Sequence, residues 1–142
     1  MVIRTKEIHH LDGPRAAESI ASEIRAGERL MTAVPTRRGE PRTDERKICT
    51  YELCESIDDE AVAIQQGEVF SLNRSAHGIL VLMGQAPRRH QLMELHIPES
   101  WWRRSMNLYE VQWTKAVQVE SHGELYLVGC RLTFGPSHYW SF

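Results

Sequence analysis

GEVFSLNRSAHGILVLM, residues 67–83, places two apolar runs on either side of a short polar turn. Residues 67–73 and 78–83 read as two strands, with Asn, Ser and Gly supplying the turn chemistry between them. Upstream, Cys49, Tyr51 and Leu53 alternate with polar neighbours, the period of a half-buried strand over residues 47–53. Residues 56–60 form an acidic loop. Downstream, residues 91–97 give a fourth strand, and residues 98–106, with Trp101, Trp102, Arg103 and Arg104, a loop or bend. A long fifth strand covers 108–119, with Tyr109, Val111 and Trp113 on one face. Gly123 introduces a sixth over 125–134, and the tail 135–142 is too short and too aromatic for a helix. Six strands at short intervals with turn residues between them predict an all-β fold, an antiparallel barrel.

The first forty residues differ in character. Residues 14–31 read as a helix: Asp12 can cap it, Pro14 suits its first turn, and Ala16, Ala17, Ala21 and Glu23 favour it. Ile20, Ile24 and Met31 make one narrow apolar stripe, which Gly27 weakens. A polar linker follows, carrying Arg37, Arg38 and Arg42 among Pro35, Gly39 and Pro41. The expected organisation is an N-terminal, partly helical extension (1–36), an arginine-bearing arm (37–46) and a β-barrel (47–142).

Composition narrows the function. The chain of 142 residues is 42% hydrophobic and 25% charged, an ordinary globular balance. A formal charge of −2 argues against bulk nucleic-acid binding. All but three of the seventeen basic residues are arginine, the lysines being Lys6, Lys47 and Lys115. Arginine forks onto phosphate and guanine edges and stacks on rings, though high genomic GC content favours it equally. Three cysteines, Cys49, Cys54 and Cys130, without a C-x-x-C spacing, speak against a disulfide framework and a structural zinc site. Charges within residues 1–10 do not suit a signal peptide, and the longest apolar run, 79–83, is too short to span a bilayer. A soluble, reduced, cytoplasmic protein without membrane insertion is expected.

Two short motifs carry the functional reading. R-x-x-x-R occurs as Arg25/Arg29, Arg38/Arg42 and Arg42/Arg46; the first pair falls in the expected helix, and Arg42/Arg46 leads directly into the first strand of the barrel. Asn73-Arg74-Ser75-Ala76-His77-Gly78 has the form (D/N)-x-S-x-x-G and joins the second and third strands. Either alone is weak, since linker arginines are commonly solvated and Asn-Ser-Gly turns are common. In this order, with Val111-Gln112-Trp113 and the run 126–134 following, residues 40–135 resemble a PilZ domain.

That resemblance implies a six-stranded antiparallel PilZ-type β-barrel binding cyclic di-GMP. The ligand-binding residues it implies are Arg42, Arg46, Asn73, Ser75 and Gly78, with Arg38 and Arg74 as further candidates. The arginines would stack on guanine or fork onto its edge or a phosphate. Asn73 and Ser75 would anchor the other side, and Gly78 would let the backbone come close. Pro41 stands where the family often has a second basic residue, leaving one ligand or a stacked pair open, and Asn73 replaces the commoner acid. The chain is expected to act in trans on a downstream protein target, and homo-oligomerisation is compatible with this. No cofactor, metal or enzymatic activity is expected: His9 and His10 lack a third ligand at metal spacing, and Cys49 with His77 or His96 lacks the rest of a catalytic set. A nucleotide-independent interaction adaptor on the same fold is the alternative.

Overall fold

The computed structural model describes residues 2–9, 41–56 and 61–140. Seven strands run in chain order: β1 (Val2–His9), β2 (Thr43–Ser56), β3 (Ala61–Arg74), β4 (Gly78–Met83), β5 (Leu92–Pro98), β6 (Arg103–Val119) and β7 (Gly123–Trp140). Among the described residues there is no helix. The helix expected over 14–31 and Arg38 lie outside the described residues.

β2 to β7 close on themselves in the order β3-β2-β5-β6-β7-β4 and back to β3, every pair antiparallel. The sequence therefore predicted the six-stranded antiparallel ring. It did not predict β1, which pairs parallel with β3. β3 is long enough to hold two strands end to end on one edge: β1 takes residues 61–67, and β4 takes Phe70–Arg74. β1 thereby covers backbone groups that the ring leaves unpaired.

Alternation sorts the core. Cys49, Tyr51 and Leu53 of β2, Met93, Leu95 and Ile97 of β5, and Tyr109 and Val111 of β6 point into the ring and are almost completely buried. A second apolar layer lies on the outer face of β3, β4 and β7, where Phe70, Leu80, Leu82, Leu125 and Leu127 pack together. β4 contributes Ile79, Val81 and Met83 to the first layer and Leu80 and Leu82 to the second. Residues 79–83 are an unbroken apolar run because both faces of this strand are covered. Ile79→Val removes one methylene from the fully buried inner layer and should lower the unfolding free energy by about 0.5–1.5 kcal/mol. A denaturant titration checks this.

Two expectations need correction. β6 begins at Arg103 and β7 continues to Trp140, because Arg103–Met106 pair with residues 137–140. The bend shrinks to the residues between Pro98 and Arg103, and most of the aromatic tail is strand. The chain kinks at Gly135, whose φ of +106° and clearance (a Cβ would lie 2.8 Å from the Met106 carbonyl oxygen) suit glycine. The second correction concerns Trp113. Val111 pairs with Cys130 and Trp113 with Gly129, so Gln112 is an extra residue in β6. This bulge breaks the alternation, and Trp113 leaves the face that holds Tyr109 and Val111.

Candidate functional site

The two sequence motifs meet on the outer face of the ring. β2 starts earlier than its apolar alternation suggested, because Thr43 pairs with Arg74 and Asp44 with Asn73. The next matched pair is Lys47 with Ser71, so Glu45 and Arg46 sit in a bulge opposite Leu72. Arg42, just before the strand, turns its guanidinium toward β3, and its Nη1 donates to Asn73 Oδ1 at 2.9 Å. Ser75 N donates to the Gly78 carbonyl at 2.9 Å, and Ser75 Oγ to the same oxygen at 3.5 Å. Leu132 N donates to the His77 carbonyl at 2.7 Å, which ties the turn to β7.

A shallow groove of about 210 Å³ opens beside this turn, lined by Arg42, Ser75, His77, Gly78, Gln112, Trp113, Gly129, Cys130 and Arg131. Glycines shape it twice. A Cβ on Gly78 would stand 3.3 Å from Arg42 Nη2, 3.4 Å from Ser75 Oγ and 3.2 Å from the Cys130 carbonyl oxygen. A Cβ on Gly129 would collide with the Trp113 indole, which lies over that backbone. Half-exposed Trp113 thus provides an aromatic surface, and Arg42 and Arg131 provide guanidinium groups on the same groove. The volume is below the roughly 300–1,000 Å³ of sites that enclose a small molecule. A ligand would lie against this wall. Gly129→Ala must displace the indole, and with it the groove wall; the expected result is a changed Trp113 fluorescence with the fold retained by circular dichroism.

The site residues expected from sequence divide by position. Arg42, Ser75 and Gly78 line the groove, and Asn73 holds Arg42 beside it. Arg46 lies in the β2 bulge, partly buried and outside the groove lining. Arg74 faces the opposite way, because it neighbours Asn73 on a strand and pairs with the inward-facing Ile79. Gln112, Trp113 and Arg131, which also line the groove, were not among the expected site residues. The bulge that moves Trp113 outward leaves no mark in the sequence, although a glycine in β7 is the partner an overlying indole requires.

Arg74 closes one end of the ring. Its Nη1 lies 2.9 Å from Glu99 Oε1 and 3.4 Å from Glu45 Oε1, and its Nη2 is 3.5 Å from Asn107 Oδ1. Ser105 Oγ donates to Glu99 Oε1 at 2.6 Å, and Lys47 Nζ lies 3.1 Å from Glu45 Oε1. Burial pushes the Tyr109 hydroxyl up to about 12, against the opposing charge and hydrogen bond of Arg74. For Glu99, burial acts upward too, but the hydrogen bonds from Ser105 and Arg74 and the charges of Arg74 and Lys47 outweigh it and hold its carboxyl below the usual range. A carboxylate lowered in the folded state stabilises above its unfolded pKa, and that contribution is lost as pH falls through the folded value. Unfolding free energy should therefore decline with acidification below the carboxylate range, and less steeply in Glu99→Gln, in denaturant titrations across pH. The thiols of Cys49 and Cys130 are pushed up to about 12, chiefly by burial, which keeps them protonated.

No protein-family model and no curated protein sequence matches the chain. Solved structures with a similar fold include the Klebsiella pneumoniae MrkH–c-di-GMP complex, at 13% identity and a TM-score of 0.50, covering 71% of this chain and 46% of that one. Another is the Bacillus subtilis inhibitor of motility (MotI/DgrA), at 17% identity and a TM-score of 0.49, covering 70% of this chain and 44% of that one. The chain spans less than half the length of either. The likeness to MrkH is one of fold. Among the described residues, no helix is long and apolar enough to cross a membrane.

Proposed function

We propose that this protein is a cyclic di-GMP receptor whose ligand lies in the groove between the Arg42 arm and the Asn73–Gly78 turn. The observation that carries this reading is the 2.9 Å bond from Arg42 to Asn73 beside Gly78, which joins both motifs on one exposed surface. The fold shared with a structure solved as a c-di-GMP complex supports it. On this reading Arg42 leaves Asn73 to fork onto a guanine edge or a phosphate. Asn73 and Ser75 accept from or donate to the ligand, and Gly78 keeps the backbone open. The exposed face of Trp113 offers a base a stacking platform, worth about 1–3 kcal/mol per base in single-stranded nucleic-acid sites. Arg46 and Arg38 complete the arm.

Ligand binding would reset the arm and present a changed surface to a downstream protein in the bacterial cytoplasm, without catalysis. A ligand shifts such an equilibrium only through its differential affinity for the two states, and the exchange of Arg42 from Asn73 to ligand supplies a difference.

Isothermal titration of cyclic di-GMP into the full chain, with GTP as control, tests the proposal. Saturable binding of the dinucleotide alone is expected, and its stoichiometry counts the ligands per site. A flat trace from folded protein would overturn the receptor reading in favour of a nucleotide-independent adaptor.

A further inference from the structure

The bend between β5 and β6 has features that the ligand groove does not use. Trp101 is 94% exposed and Trp102 52%, a degree of exposure that leaves almost nothing packed around the first indole. Arg103 and Arg104 follow at once, and Trp140, 63% exposed, pairs across the sheet with Arg103. The bend's own acid, Glu99, is turned inward to Arg74 and Ser105. Beside the bend runs a groove of about 560 Å³, whose walls include Lys47, Glu99, Trp101, Trp102, Arg103 and Arg104. The outward chemistry of this corner is therefore indole and guanidinium.

We propose that the Trp101–Trp102 bend is a peripheral membrane contact that docks on an anionic phospholipid surface. Indoles prefer the depth of lipid headgroups, where the ring is dry and the N–H is wet. Arginines beside them attract anionic headgroups, and the groove gives a headgroup phosphate a place beside Arg103 and Arg104, Lys47 in the same wall being already engaged by Glu45 and Glu99. Charge complementarity favours this occupant. A protein contact built on tryptophan hot spots would seat them in a packed patch that excludes water, whereas Trp101 stands clear of its own surface. The contact is superficial: among the described residues nothing forms an apolar helix of spanning length, and two adjacent indoles with their arginines give weak, reversible attachment.

The test is co-sedimentation of the full-length protein with vesicles of phosphatidylcholine mixed with phosphatidylglycerol, against phosphatidylcholine alone. The wild type should pellet with the anionic vesicles, leave them as salt is raised, and ignore the neutral ones. Trp101→Ala/Trp102→Ala should weaken partitioning by at least about tenfold. Arg103→Ala/Arg104→Ala should weaken it about fivefold per arginine at low salt. These side chains are exposed or nearly so, and unchanged thermal unfolding would show that the variants fold. Failure of the folded wild type to partition into anionic vesicles would overturn the proposal and leave the corner as a protein contact. Partitioning that is indifferent to both double variants would overturn it equally.

Discussion

Replacing Arg42 and Arg46 together by alanine is expected to weaken cyclic di-GMP binding by about a hundredfold or more. Each well-made guanidinium fork is worth roughly 1–3 kcal/mol, and each 1.4 kcal/mol is a factor of ten. Arg42 should carry the larger share, since it lines the groove and Arg46 does not. Arg42→Ala alone should cost about tenfold to a hundredfold, and Arg42→Lys should recover little, because a point charge does not reproduce the planar fork. On the receptor reading Asn73→Ala removes one of Arg42's resting partners as well as a proposed ligand anchor, so its effect should be smaller than that of Arg42→Ala. The measurement is the same titration, with thermal unfolding of each variant alongside. Full affinity in the folded Arg42→Ala/Arg46→Ala variant would place any nucleotide site elsewhere on the chain.

Arg74→Ala should destabilise the protein by about 2–3 kcal/mol, read from chemical denaturation. Removing one partner of a buried charge network typically costs 3–5 kcal/mol because the opposite charges are left behind. Here the lower figure applies, because Arg74, Glu45 and Glu99 each keep about a fifth of their side-chain surface in water. Without the guanidinium, Glu45 and Glu99 are left with Lys47 as their cation among the described residues, and Asn107 Oδ1 loses a donor. Arg74→Met/Glu99→Gln should recover part of the loss, since it withdraws both charges together. A change below about 0.5 kcal/mol, ordinary for an exposed side chain, would show that the network does not hold this end of the ring. The same residues join Glu45, which lies between the two arm arginines, to Glu99 at the base of the Trp101 bend.

The sequence supports parts of this account unequally. Six ring strands were legible because a half-buried strand writes its alternation directly into the chain, as Cys49, Tyr51 and Leu53 do, and because Gly and Asn mark its turns. β1 was not legible: a parallel edge strand is defined by the partner it finds, here residues 61–67 of β3. Likewise residues 135–140 are strand because β6 is long enough to pair with them.

At the candidate site the residue types were readable along the chain: forked donors at Arg42 and Arg46, short polar groups at Asn73 and Ser75, and a backbone free of Cβ at Gly78. Which of them share a surface follows from the folded register. Strand alternation sends Asn73 outward to Arg42 and Arg74 inward to Glu99, although they are adjacent in the chain. A single extra residue at Gln112 turns Trp113 from the inner face onto Gly129 and makes it a wall of the groove. The face a side chain takes depends on register, and register is set by pairing between strands far apart in the chain, so no local pattern of residues contains it.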